Sequence, residues 1–114
     1  MRAAVALLLP SLALAQPTAT PHGAQSKKVE LPAREFHEEC VELAAGQRLI
    51  YDFSAAKTVK FNIHYHAGGQ ILYPVRKNAR HAHGVFTSRA AQGYCMMWTN
   101  SHAVSIDLSY HFDR

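Results

Sequence analysis

VKFNIHYH, residues 59–66, alternates apolar and polar side chains without a break and decides the fold class. One face of this stretch carries Val59, Phe61, Ile63 and Tyr65, and the other carries Lys60, Asn62, His64 and His66. Successive side chains of an extended chain point to opposite faces, so a period of two indicates a strand that is buried on one side. Residues 59–66 are therefore predicted to be a half-buried β-strand.

The same alternation recurs on both sides of this stretch, and no convincing helical period follows residue 15. Gly68-Gly69 predicts a tight hairpin, because glycine adopts a positive φ without steric cost. Ser54-Ala55-Ala56 is interpreted as a turn between two strands, and residues 76–80 as a longer loop. About seven strands are predicted, near 36–43, 48–54, 58–66, 70–75, 84–89, 93–99 and 103–112.

Seven short alternating strands with frequent turns predict an all-β fold, namely a two-layer antiparallel β-sandwich. A small closed barrel is the alternative. Each apolar face must meet another apolar face, and two stacked sheets achieve this. The predicted core contains Leu49, Tyr51, Phe53, Phe61, Ile63, Tyr65, Met96, Trp98, Ile106, Leu108 and Tyr110.

The chain has 114 residues, of which 48% are hydrophobic and 18% charged, as expected for one globular domain. Residues 1–15 have the pattern of a signal peptide: Arg2, an apolar run, and Ala13-Leu14-Ala15 as a cleavage site. A membrane anchor is the alternative, although the run is shorter than the ~20 residues that span a bilayer. Residues 16–34 are expected to be a flexible lead-in and residues 35–114 the sandwich. We expect a periplasmic or secreted protein, without a membrane span after signal cleavage.

The two cysteines are Cys40, in the first predicted strand, and Cys95, in the sixth. An oxidising compartment would allow them to form one disulfide. Two free buried thiols are the alternative. A catalytic thiol is disfavoured because no Cys-x-x-Cys pair is present.

The order of several landmarks resembles the GOLD domain, a β-sandwich family of the secretory pathway. Those landmarks are Cys40 before the Gly46-Gln47 turn, residues 59–63, Val75 with the basic loop, residues 84–87, residues 93–100 from Gly93-Tyr94-Cys95 to Trp98-Thr99-Asn100, and residues 104–108. The resemblance covers roughly residues 38–112, although both cysteines are displaced from the family's positions. It implies a β-sandwich that recognises proteins or lipids, and it implies no catalytic residues.

Histidine is the unusual residue of the composition, with 8 in the chain. His64 with His66, and His81 with His83, form two His-x-His pairs. On a strand this spacing places both imidazoles of a pair on one face, where they suit a shared metal ion if a neighbour supplies a third ligand. The four histidines are therefore candidate ligands for copper or zinc. Exposed histidines on a solvated strand face are the alternative interpretation.

Composition and motifs disfavour several function classes. Removal of residues 1–15 leaves 11 basic and 8 acidic side chains, too small an excess to indicate a nucleic-acid partner. No nucleophile elbow, phosphate loop or dinucleotide fingerprint is present, so we expect a protein that is not an enzyme. Two functions remain. The first is an exported recognition module for a protein or an envelope component, and the second is a periplasmic copper or zinc binder. Neither predicts an oligomeric state.

Overall fold

The computed structural model describes residues 3–6 and 23–114. Six strands form one antiparallel sheet: β1 (Gln25–Leu31), β2 (Phe36–Leu43), β3 (Arg48–Ala67), β4 (Gln70–Thr87), β5 (Gln92–Thr99) and β6 (Ile106–Asp113). The predicted all-β, antiparallel class is confirmed. In the described part of the chain, no helix has the length and apolar character required to cross a membrane.

The 20-residue strand β3 organises the sheet. One edge of β3 pairs with β4 along nearly its whole length. The other edge pairs first with β6, over residues 50–55, and then with β5, over residues 60–64. The strand β1 adds to β6, and β2 adds to β5. The sheet therefore divides into two wings, β1–β6 and β2–β5, which share β3.

The sheet curls so strongly that the inner faces of the two wings pack against each other. The rings of Trp98 on β5 and Tyr110 on β6 have centroids 4.5 Å apart. At the open side, the Tyr110 hydroxyl donates to Glu39 of β2 at 3.0 Å, and Lys27 of β1 forms an ion pair with the same carboxylate. Burial and the Glu39 carboxylate both raise the pKa of Tyr110, so its hydroxyl remains a donor.

The predicted two-layer sandwich of seven strands is wrong, because one hydrogen-bonded sheet of six strands curls into a half-barrel. The error begins at Ser54-Ala55-Ala56, which does not turn the chain. The register with β4 passes from Ser54 directly to Val59, so residues 55–58 form a bulge inside β3. A bulge bends a strand and increases its twist. It lies where β3 exchanges β6 for β5 as its neighbour.

Two further segments differ from expectation. Residues 76–80, predicted as a loop, belong to the 18-residue strand β4, whose outer edge carries basic side chains, as exposed sheet edges often do. Residues 25–31, predicted to be in the flexible lead-in, form β1 and pair with β6, with Leu31 buried. The predicted signal peptide, residues 1–15, lies mostly outside the described residues.

The predicted core is confirmed. Ten of its eleven members are buried, and Tyr65 is partly buried against them. A polar group completes the packing at one end of the curl: Asn100 is fully buried between β5 and β6. Its amide nitrogen donates to the carbonyls of Leu31, Pro32 and Val104, and its oxygen accepts from the backbone of His102. This residue therefore ties the end of β1 to the β5–β6 connection.

Candidate binding surface

The end of the β3–β4 hairpin carries a run of exposed apolar side chains. Gly68 and Gly69 form the turn with φ of 58° and 75°, as predicted for this pair. Immediately after the turn, three large apolar side chains in succession, Ile71, Leu72 and Tyr73, are 47%, 38% and 40% exposed. Exposed apolar side chains that cluster in this way often mark a surface that binds another molecule.

A second bulge brings part of this cluster onto the outer face of the sheet. The β3–β4 register passes from Ile63↔Val75 to Tyr65↔Leu72, so that two residues of β4 oppose His64. The Tyr73 ring lies 5.7 Å from the His64 ring, and the Arg76 guanidinium lies 4.2 Å above the Tyr73 ring. We call the exposed set His66, Ile71, Tyr73 and Arg76 the distal patch.

His64 lies beneath the distal patch and is only 5% exposed, although it belongs to the polar face of the alternating pattern. Its Nδ1 is 2.8 Å from Oδ1 of Asn62, and its Nε2 is 3.3 Å from Oε1 of Glu38 on β2. The ring of His66 lies 5.6 Å away. Burial lowers the pKa of His64, the Glu38 charge raises it, and His66 lowers it further, with a net lowering.

The predicted disulfide is present beside this histidine. Cys40 on β2 and Cys95 on β5 are bonded, and Cys95 also lies directly opposite His64 in the β3–β5 register. The disulfide therefore lies on the outer face of the β2–β5 wing. Cys95 is the neighbour of His64 on the β5 side, and Tyr73 is its neighbour on the β4 side.

The structure separates the two His-x-His pairs. His81 lies opposite Ser54, and His83 opposite Asp52, on the other side of the β3 bulge from His64 and His66. His64 is ten residues beyond Ser54 on β3, and a strand rises roughly 3.3 Å per residue, so the pairs cannot share one ion. Among residues 3–6 and 23–114, no three His, Cys, Asp or Glu side chains form a ready metal-binding group.

An open basin occupies the outer face of the β1–β6 wing and was not anticipated from the sequence. Ser26, His111 and Asp52 form one row across β1, β6 and β3, and Ser26 Oγ is 2.8 Å from His111 Nδ1. Small serine side chains leave a depression of about 470 Å³ in this region. The sequence could not indicate this row because Ser26 was assigned to the lead-in rather than to a strand.

Three comparisons with known proteins bear on this architecture. No family model matches the chain, and no curated protein matches it. Among solved structures, the chain is similar to PliG of Aeromonas hydrophila, a periplasmic inhibitor of g-type lysozyme. The TM-score is 0.62 and the identity 14%, with 82% of this chain and 90% of that chain covered. A de novo designed double-stranded β-helix also matches, with a TM-score of 0.48 and 18% identity, covering 77% of this chain and 97% of that one.

The likeness to PliG corrects the resemblance to the GOLD family. A GOLD domain is a sandwich of separate sheets, whereas here β3 pairs with strands of both wings and makes the sheet continuous. The landmarks that supported the resemblance have other roles in this fold. Asn100 anchors the β5–β6 connection, and the basic residues around Arg76 belong to a strand rather than to a loop. At 14% identity the likeness to PliG shows the fold alone.

Proposed function

We propose that this protein is an exported, non-enzymatic binding protein whose partner is a lysozyme. The observation that carries the proposal is the shared half-barrel fold with a periplasmic lysozyme inhibitor, over most of both chains. The predicted signal peptide and the Cys40–Cys95 disulfide support export to an oxidising compartment such as the periplasm.

We assign the contact with the partner to the distal patch. Tyr and Arg are enriched among the residues that dominate protein–protein binding energy, and Tyr73 and Arg76 are stacked here on an exposed strand. The Tyr73 ring lies 5.7 Å from the ring of the buried His64, so its position is supported before a partner arrives. A rigid contact surface loses less conformational entropy on binding.

The charge of this region is complementary to the active site of a glycosidase. Arg76 is exposed on the face that carries Tyr73, whereas Lys77 points to the other face, with its Nζ 5.9 Å from the Tyr51 ring, and Arg80 lies four residues further from the turn. Most glycoside hydrolases use a pair of Asp or Glu side chains that flank the scissile bond. A basic, aromatic hairpin end therefore suits an acidic cleft, where it would exclude the polysaccharide substrate.

The experiment is an inhibition assay with purified, oxidised protein and a g-type lysozyme acting on a peptidoglycan suspension. We expect dose-dependent loss of lysis that approaches completion at a small molar excess. Lysozymes of other types, assayed in parallel, measure selectivity. Undiminished lysis by all of the enzymes at a large molar excess of the protein would contradict the proposal.

A further inference from the structure

We propose that a cleft at the edge of the core binds a small aromatic carboxylate, with Arg89 as the partner of the carboxylate group. The cleft has a volume of about 340 Å³, and we call it the aromatic cleft. Six residues line it: Tyr65, Pro74, Phe86, Thr87, Arg89 and Tyr94. None of them belongs to the distal patch, so this site is independent of the lysozyme proposal.

The curl of the sheet forms the aromatic cleft, because it brings together side chains from distant points of the β3–β4 pair. Tyr65 lies opposite Leu72 near the hairpin turn, whereas Phe86 lies opposite Leu49 at the other end of β3. Both rings nevertheless contact Tyr94 of β5, with centroid distances of 5.3 Å and 5.1 Å. Tyr94 is buried, but Tyr65 and Phe86 are only partly buried. The cleft therefore has aromatic walls that a ligand can reach.

The backbone on both sides of Arg89 is held in place within the β4–β5 connection. On one side, Ser88 is buried and its N–H donates to the carbonyl of Gln47 at 3.0 Å. On the other side, the carbonyl of Ala90 accepts a hydrogen bond from the Tyr94 hydroxyl at 3.0 Å. Arg89 itself is exposed. Its position at the rim of the cleft is therefore fixed before a ligand binds, which reduces the entropy lost on binding.

The charge of Arg89 is not balanced within the cleft. Its guanidinium has no hydrogen-bond or ion-pair partner among the residues that the structure describes. All six lining residues come from a stretch without acidic side chains, since no Asp or Glu occurs between Asp52 and Asp107. A guanidinium presents parallel N–H groups whose spacing matches the two oxygens of a carboxylate. The cleft therefore suits a ligand that carries this group.

The walls and the size of the cleft define the rest of the ligand. Aromatic rings pack favourably against other rings in offset or edge-to-face arrangements, so walls made of Tyr65, Phe86 and Tyr94 favour a ligand with a ring. A volume of about 340 Å³ is near the lower end of the range for small-molecule sites. One or two fused rings are therefore expected rather than a long acyl chain.

Calorimetric titration of the purified, oxidised protein with naphthalene carboxylate (naphthoate) tests the cleft. We expect a dissociation constant below about 1 mM, which is reasonable for a ligand of this size. The neutral amide, naphthamide, lacks the charge, and cyclohexane carboxylate lacks the aromatic ring. Each of these two compounds should bind roughly tenfold more weakly than naphthoate or worse.

Arg89→Gln separates the contribution of the charge from that of the rings. Because Arg89 is exposed, the variant removes no core packing. Its affinity for naphthoate should fall roughly tenfold or more, whereas its affinity for naphthamide should equal that of the parent. Arg80→Gln is the matched control, since Arg80 is exposed on β4 and does not line the cleft. The control should bind naphthoate as the parent does.

Proton NMR locates the ligand. On addition of naphthoate the ring resonances of Tyr65 and Phe86 should shift, while those of Tyr73 in the distal patch should not. The proposal is overturned if naphthoate does not bind below about 1 mM, or if naphthamide or cyclohexane carboxylate binds the parent as tightly. Parent-like affinity of Arg89→Gln for naphthoate, or shifts confined to rings outside the cleft, would also overturn it.

Discussion

Cys40 and Cys95 are directly opposite one another in the β2–β5 register, with their Cα atoms 4.0 Å apart. β2 lies at the end of the strand order and pairs only with β5 among the described strands. The bond therefore attaches an outermost strand to the sheet, and it closes a segment with a sequence separation of 55.

Replacing both cysteines with serine should lower the free energy of unfolding by about 4 kcal/mol, because the unfolded chain regains the entropy that this cross-link removes. Denaturant unfolding of the parent and of the double variant measures the difference. Reduction of the parent protein should reproduce most of the loss. A loss of unfolding free energy below about 1 kcal/mol would contradict the account in which the cross-link lowers the entropy of the unfolded chain.

Asn100→Ala should destabilise the protein by roughly 2–4 kcal/mol. The substitution removes four hydrogen bonds and leaves the carbonyls of Leu31, Pro32 and Val104 without this donor in a buried place. Asn78→Ala is the control, because Asn78 is exposed on β4 and should change stability by less than about 0.5 kcal/mol. Equal effects of the two substitutions would refute the anchoring role of Asn100.

Gly84→Ala tests the packing of β4 against β3. Gly84 lies opposite Tyr51, and an added Cβ would overlap the hydroxyl and ring of that buried tyrosine. We expect a loss of about 1–3 kcal/mol as the ring shifts to make room. Thermal unfolding of the parent and the variant measures this loss. Gly23→Ala, where a Cβ would meet no atom within 4 Å, is the control and should be nearly neutral in the same experiment.

The buried His64 should make stability depend on pH. Its pKa in the folded protein is lowered by burial, against the charge of Glu38 and with a further lowering by His66. Between the unfolded value near ~6.5 and the lower folded value, the unfolded chain binds more protons. Stability is therefore expected to fall as the pH drops below about 6.5, and to stop falling from this cause below the folded pKa.

Unfolding free energies at pH 7.5 and pH 5.5, measured without metal, test this expectation. His64→Gln should show a smaller difference between the two conditions than the parent, because glutamine does not titrate. If His64→Gln and the parent show the same difference in unfolding free energy between the two pH values, the pH dependence comes from another titratable side chain. His111→Gln is the control, since it removes a histidine from the other wing of the sheet.

The alternating pattern identified the core, but it could not identify the course of the sheet. Residues 54–58 have the composition of a turn, and only their neighbours keep them in β3: β6 pairs up to Ala55, and β5 begins at Lys60. Gly23, Ser26 and Pro32 made the segment around β1 resemble a flexible lead-in, although the last residue of β1, Leu31, is buried. Both the bulge in β3 and the strand β1 depend on which strands pair with each other, and a single sequence does not show strand pairing.

The candidate site was predictable in part. The face of His64 and His66 followed from the period of two, and the Cys40–Cys95 pair followed from the expected compartment. The burial of His64 did not, because it depends on Tyr73, Glu38 and the disulfide, which come from three other strands. The separation of His81 from His64 depends on the bulge, which the sequence presented as a turn.

The most direct test of the binding function is the dissociation constant for a g-type lysozyme, measured by calorimetry for the parent and for Tyr73→Ala/Arg76→Ala. The matched control is Val85→Ser, because Val85 is 57% exposed on the same strand but lies opposite Ile50, far from the distal patch. We predict tight binding by the parent and the control, and an affinity at least about 30-fold weaker in the double variant, as for residues that dominate an interface. The absence of binding by the parent, or equal affinity of all three proteins, would contradict the account.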